Sequence, residues 1–223
     1  MNVVELFPTK IALFKLPAEL STVCNHFNEA PMEVDKFPNT HSKERDENFL
    51  KYGLHSKDTY IMDGDECKEI SKFVLECVDK YNNDVLGYIT DGWQFSQSWV
   101  SLKYPGQQHV EHTHPNSIVS AVIFWGSMEE KTSPLLFHSP AMFYRQNTIM
   151  NPIANDPKYT HPMAIEQLNF SPGDLILFPS YLPHSVPENK TRMVRKSLSM
   201  NIVPKGKFGD NGSLTELLFD RLK

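Results

Sequence analysis

From Trp93 onward the chain is written in short runs of apolar and β-branched residues, broken by Pro, Gly and Asn. The runs cover 96–104, 117–125, 133–138, 164–169, 174–178 and 194–203. Short strands at this spacing predict a β-sandwich or barrel. The N-terminal part has a different texture. Residues 3–14 read as a short strand broken at Pro8, and Leu20, Val23, Cys24 and Phe27 follow Pro17 at helical spacing, which predicts a short helix. Residues 31–60 are polar and read as a long surface loop. Ile70, Phe73, Val74, Cys77, Val78 and Tyr81 recur at three- and four-residue steps and predict an amphipathic helix over 65–82. Near the other end, Ser213-Leu-Thr-Glu216 matches a capping box and predicts a tail helix with Leu214, Leu217 and Leu218 on one face. Helices first and strands afterwards predict an α+β class, mainly β, with the helices buttressing one sheet. The organisation expected is one domain over 1–223: a helical and loop part over 1–92, a β core over 93–204 and a C-terminal tail helix over 205–223.

The composition narrows the function classes. With 223 residues, 40% hydrophobic and 22% charged, the chain can bury one sizeable core. Its net charge of −5 and lack of a basic run do not suggest a nucleic-acid partner. No stretch reaches the roughly 18 apolar residues of a membrane span. The N-terminus has neither the basic start nor the apolar segment of a signal peptide. Cys24, Cys67 and Cys77 are odd in number and show no metal-ligand spacing. Free thiols in a reducing compartment, hence a cytoplasmic location, are the expectation.

The candidate chemistry lies in histidines. His112 and His114 are two apart, so on a strand they face one side. His184 follows the buried run 174–178 and the segment Pro179-Ser-Tyr-Leu-Pro183. Three ligands on one face of a metal leave positions open for a co-substrate and oxygen, the pattern of mononuclear non-haem iron oxygenases. A rival set exists. His109-Val-Glu111 with His184 would supply two histidines and a carboxylate. On a regular strand Glu111 and His112 point to opposite faces, so both cannot ligate without a bulge. The residue pattern leaves the choice open. His138 and His161 have no patterned partner. Downstream, Arg195, Ser197, Ser199 and Asn201 alternate onto one strand face. An inward Arg in a barrel is costly unless it meets an anion, and a guanidinium matches a carboxylate bidentately. Ser197 can add a hydroxyl donor. Arg192, in the polar turn 188–192, is the alternate anchor.

At these residues the chain resembles the 2-oxoglutarate- and Fe(II)-dependent oxygenases. The likeness is strongest to a group from bacteria and phages close to the prolyl-hydroxylase branch. It is carried by Leu6-Phe-Pro-Thr9, Gln97-Ser-Trp-Val100, His112-Thr-His-Pro-Asn-Ser117 with Ser120-Ala-Val122, Gly173-Asp-Leu-Ile-Leu-Phe-Pro-Ser180, Pro183-His-Ser-Val186 and Arg195-Lys-Ser-Leu-Ser-Met-Asn201. The resemblance implies a double-stranded β-helix (jelly-roll, cupin-like) core and the ligand set His112, His114 and His184 for Fe(II). It implies 2-oxoglutarate held by Arg195 and Ser197, with Tyr104 as a further co-substrate contact, and O2 as the oxidant. Asn116, Ser120, Trp99 and Asn201 are candidates for places behind the ligands. Most relatives carry a carboxylate where His114 stands, so this chain departs from the usual set. The implied activity is hydroxylation of an unidentified substrate, a small molecule or a protein, with release of succinate and CO2. Two other readings compete: a non-catalytic cupin-like metal-binding module, and a three-histidine dioxygenase that does not use 2-oxoglutarate. The stretches 31–60 and 140–162, the latter with Tyr144 and Arg145, are long enough to cover a site.

Overall fold

The computed structural model describes residues 8–34, 51–126, 134–139 and 166–219. Its strands are β1 (Ala12–Lys15), β2 (Met32–Val34), β3 (Leu54–Ser56), β4 (Trp93–Lys103), β5 (His109–His112), β6 (Val119–Trp125), β7 (Leu135–Phe137), β8 (Glu166–Leu168), β9 (Asp174–Pro179), β10 (His184–Val186), β11 (Arg195–Pro204), β12 (Lys207–Phe208) and β13 (Leu217–Leu218). The major sheet has seven strands in the order β1-β9-β6-β11-β4-β3-β2, and the minor sheet four, β5-β10-β7-β8. The ladders of both sheets are antiparallel.

Burial explains why the major sheet is built around β6. All seven of its residues are buried, as a strand covered on both faces requires. Alternation then divides its side chains. Ala121 and Ile123 join the larger core cluster with helix α2 (Lys68–Tyr81), whereas Val122 and Phe124 join a second cluster between the sheets with Leu135, Phe137, Ile176 and Phe178. The α2 face expected from sequence is the face observed, with Ile70, Val74, Cys77, Val78 and Tyr81 buried. Each fully buried aliphatic side chain contributes about 1.5–3 kcal/mol, so the buried face of α2 covers one side of the major sheet. The space between the sheets is left for the site.

The structure departs from the sequence expectations at both ends. The stretch 31–60 is not simply a loop. It contains β2 and β3, which extend the major sheet through Glu33↔His55 and His55↔Ser101. Three-residue strands are too short for alternation to show. The Val100 backbone N–H donates to Ser56 Oγ at 3.0 Å, which ties β3 to β4. The short helix after Pro17 is a single α turn, α1 (Ala18–Ser21), continued by a 3₁₀ segment over Val23–Glu29 that buries Cys24 and Phe27. The tail helix is absent among the described residues. Asp210 captures the local donors instead: its carboxylate accepts from the Ser213 N–H at 2.8 Å and its carbonyl from the Thr215 N–H at 3.0 Å. Leu214 takes φ 58°, and Leu217–Leu218 pairs with β12. Residues 1–7 and 140–162, with Tyr144, Arg145 and His161, lie outside the described residues. Among those described, no helix is long and apolar enough to cross a membrane. Cys24, Cys67 and Cys77 are free and buried. Burial pushes their thiols up to about 11, 12 and 11, which makes them packing groups rather than nucleophiles.

Candidate metal centre

The site sits between the sheets, where β5 and β10 pair. His112 ends β5 and lies directly opposite His184, the first residue of β10. The register then slips, so that Val186 faces His109. Four residues of β5, 109–112, therefore span three of β10, 184–186, a bulge. It turns both His109 and His112 into the cavity, with ring centroids 4.4 Å apart. His114 is beyond the end of β5, not on it. Its place is set by its own backbone N–H, which donates to the Ser180 carbonyl at 3.0 Å. The next turn is closed by Asn116 at φ 59°.

His112, His114 and His184 come together, with one ligand atom from each lying within 4.8 Å of the others. The tautomers follow from their partners. His112 Nδ1 lies 2.9 Å from the Val110 carbonyl and His184 Nδ1 3.0 Å from the Leu182 carbonyl. A carbonyl only accepts, so both Nδ1 atoms carry the proton. His114 Nδ1 lies 2.5 Å from Asn201 Oδ1 and donates in the same way. All three Nε2 atoms are left as lone pairs. His114 Nε2 and His184 Nε2 are 3.2 Å apart, and with both protons at Nδ1 no hydrogen bond joins them. Two imidazole donors at about 2.1 Å from one ion, at right angles, stand about 3 Å apart. The three imidazoles thus fit a borderline divalent cation. Burial, reinforced by the neighbouring imidazoles, lowers His184 to about 2. Burial, partly offset by the Asn201 hydrogen bond, lowers His114 to about 4. Both are neutral ligands at neutral pH.

Glu111, the rival ligand, is exposed on the other side of β5, and its carboxylate meets His138 Nδ1 at 3.1 Å. His138 Nε2 in turn lies 2.8 Å from Ser185 Oγ. This chain ties β5, β7 and β10 together from behind.

Further into the same cavity lies Arg195, 3% exposed, its Nη1 donating to Ser197 Oγ at 3.1 Å. The guanidinium lies 4.7 Å from the Phe124 ring centre, and Phe124 is stacked on Phe170. Burial brings Arg195 down to about 10, so it stays charged at neutral pH. Arg192 is exposed in the preceding bend. Trp99 lines the cavity and stacks on His114, with centroids 5.7 Å apart. Ser120 does not line it; its hydroxyl bonds Ser180 Oγ at 2.9 Å, behind the segment that holds His114. Asn116 is exposed in its turn. Tyr104 also stays outside, because it packs against the larger core cluster. Trp99, Ser101 and Lys103 face the cavity from β4, while Val100, Leu102 and Tyr104 belong to the opposite phase. Lys103 was thus legible in the alternation of that run, and the sequence reading passed over it.

The comparisons agree with this geometry. The family described as "Putative 2OG-Fe(II) oxygenase" matches residues 97–201, which span β4 to β11 and hold every residue of the site. No curated protein matches the chain in sequence. Among solved structures, a prolyl-4-hydroxylase from Pseudomonas putida superposes with TM-score 0.53 at 15% identity, over 86% of this chain and 92% of that one. A prolyl hydroxylase from Trichoplax adhaerens, solved with a hypoxia inducible factor peptide fragment, gives 0.51 at 17% identity over 92% and 86%. The epimerase SnoN, solved with Fe3+, alpha ketoglutarate and nogalamycin RO, gives 0.57 at 11% identity over 92% and 83%. At such identities the likeness establishes the fold, a double-stranded β-helix. Through the segment 97–201, this chain is similar in sequence to the 2OG-Fe(II) oxygenases, and its fold is theirs.

Proposed function

We propose that in this oxygenase Nε2 of His112, His114 and His184 holds Fe(II), while Arg195 and Ser197 hold the far carboxylate of 2-oxoglutarate. The observation that carries the proposal is the tautomer set. Three imidazoles have their Nδ1 protons committed to oxygen acceptors and their Nε2 lone pairs turned to one another, in the cavity that also contains a buried guanidinium. Iron with 2-oxoglutarate and O2 supplies the oxidising chemistry that inserts oxygen into a C–H bond, with succinate and CO2 as by-products. The chain's own residues orient and shield it. The carbonyls of Val110 and Leu182 and the amide of Asn201 keep the imidazole protons away from the metal side. Val122 gives one wall of the cavity an apolar face, and the Phe124 ring covers the Arg195 guanidinium from the cluster between the sheets. Trp99 covers one face of His114. The substrate is proposed to be a peptide or a small organic molecule, the two kinds that the Trichoplax hydroxylase and SnoN were solved with. A metal-binding module without catalysis, or a dioxygenase without 2-oxoglutarate, would have no use for the buried Arg195–Ser197 pair.

The test is succinate formation from 2-oxoglutarate under air by anaerobically Fe(II)-loaded protein, beside iron content and the visible absorption band that 2-oxoglutarate induces on Fe(II). His184→Ala is expected to lose iron, band and succinate together. A variant that keeps all three would overturn the ligand assignment.

A further inference from the structure

Three motifs of the sequence carry a serine that neither the ligand set nor the Arg195–Ser197 pair uses: Ser117 in the turn after His114, Ser120 at the head of Ser-Ala-Val122, and Ser180 at the end of the run that opens at Gly173. In the fold their hydroxyls meet. Ser120 Oγ lies 2.9 Å from Ser180 Oγ, and Ser180 Oγ lies 2.9 Å from Ser117 Oγ. Ser117 Oγ in turn lies 3.1 Å from the Val119 carbonyl and 3.2 Å from the Ile202 carbonyl. A carbonyl only accepts, and a hydroxyl has one proton. The chain therefore has one direction: Ser120 donates to Ser180, Ser180 to Ser117, and Ser117 to a carbonyl. Ser117 Oγ also accepts from the Ile202 N–H at 3.1 Å. Ser120 and Ser180 are each 1% exposed. A buried hydroxyl costs stability unless it is hydrogen-bonded, and a satisfied buried network fixes one arrangement of the groups around it.

The group around which this network closes is His114. His112 and His184 stand on paired strands, whereas His114 lies beyond the end of β5. Its main chain is anchored at Ser180, whose carbonyl accepts from the His114 N–H and whose own N–H donates to the Ile118 carbonyl, each at 3.0 Å. Its imidazole is anchored at Asn201, which stands opposite Ser120 in the ladder between β11 and β6. Both anchors converge on the hydroxyl chain, one at its middle and one at its head. We infer that Ser120, Ser180 and Ser117 are positioning residues for the third metal ligand, joined into a hydroxyl chain that keeps His114 Nε2 in reach of the ion shared with His112 and His184. The inference rests on the ligand reading given above. Without Ser180 Oγ the Ser120 proton loses its acceptor and Ser117 Oγ loses a donor. The turn 113–117 is then loosened from β6 and β9, and His114 drifts from the cluster while the strand pairing of His112 and His184 remains.

The experiment is a double-mutant cycle read with Co2+, by competition with a chelator and by the visible absorption of the bound ion. Wild type, Ser180→Ala, His114→Ala and the double variant are compared. Ser120→Ala breaks the same chain at its head and takes the place of Ser180→Ala if that variant does not fold. In the wild-type background the serine change is expected to raise the Co2+ Kd about tenfold or more and to alter the absorption. In the His114→Ala background it is expected to raise the Kd less than about twofold and to leave the absorption as it was. A merely structural defect weakens binding alike in both backgrounds. Equal losses in the two, or no loss in the first, overturn the positioning role. His114→Ala that binds Co2+ as tightly as wild type removes His114 from the ligand set, and this inference with it.

Discussion

Replacing Arg195 with Met tests whether the cavity is built for an anion. The side chain is 3% exposed and keeps company with Ser197 Oγ and the Phe124 ring. A carboxylate bound there is desolvated, so the relevant scale is that of buried charge pairs, about 2–5 kcal/mol on truncating one partner, and not the roughly 0–1 kcal/mol of a surface pair. At about 1.4 kcal/mol per decade, the 2-oxoglutarate Kd should rise by about 30- to 4,000-fold. The low end applies if Ser197 retains part of the contact. The apo protein should behave in the opposite sense. Burial alone takes the guanidinium from 12.5 to about 10, and at about 1.4 kcal/mol per unit that is a cost of about 3 kcal/mol which Met does not bear. Against it stand its favourable contacts, among them the hydrogen bond to Ser197 at about 1 kcal/mol and the cation–π contact of similar size. The apo variant should melt no lower than wild type. Calorimetric titration with 2-oxoglutarate on the Fe(II) protein and a thermal melt without ligand are the two assays. An unchanged Kd would refute the anion-site reasoning. A melt lowered by several degrees would show that Arg195 serves the fold instead.

Other consequences are equally accessible. Glu111→Gln should leave iron content unchanged and cost less than about 1 kcal/mol of stability, since it removes only an exposed partner of His138; lost iron would return Glu111 to the ligand set. Asn201→Leu removes the acceptor of the His114 proton and should weaken Fe(II) affinity by about 10- to 100-fold, read by competition with a chelator. The apo protein should lose stability as pH falls from about 6.5 towards 4. His114 and His184 are held neutral in the fold while the unfolded chain takes up protons, at up to about 1.4 kcal/mol per pH unit for each. A denaturant midpoint flat across that window would contradict the burial of the two imidazoles. Gly53→Ala puts a Cβ into the Leu102 carbonyl at a positive φ, and should lower the melting temperature.

What the sequence disclosed, and what it hid, follows from element length. The runs 96–104, 117–125 and 194–203 became β4, β6 and β11 nearly residue for residue. Each is long enough for burial on both faces to mark it. The strands β2, β3, β5 and β10 have three or four residues, too few for a period to register, and two of them carry His112 and His184. Spacing alone left His109/Glu111 against His112/His114 undecided. The deciding physics is long-range. A bulge against β10 turns His109 and His112 inward together, and Ser180, 66 residues downstream of His114, positions that imidazole through the backbone. Tyr104 was misplaced by a single step of phase, because its neighbour in the Tyr-Pro-Gly turn, Lys103, holds the inward position on β4. At the C-terminus a capping-box pattern lost to Asp210, whose side chain offered the backbone a competing set of acceptors.

The commitment of all three Nδ1 protons has a consequence for how the protein is loaded in a cell. A donor set whose tautomers are fixed beforehand, and which contributes no negative charge, takes up an ion without rearrangement and without charge neutralisation. Such a set ranks divalent ions by their intrinsic preference for nitrogen, with Ni2+, Cu2+ and Zn2+ above Fe2+. The identity of the metal is then decided by which ion is supplied, not by the protein. Preparations made on nickel resin or in zinc-rich medium should arrive carrying those ions, inert for oxygen chemistry until stripped and reloaded with Fe(II).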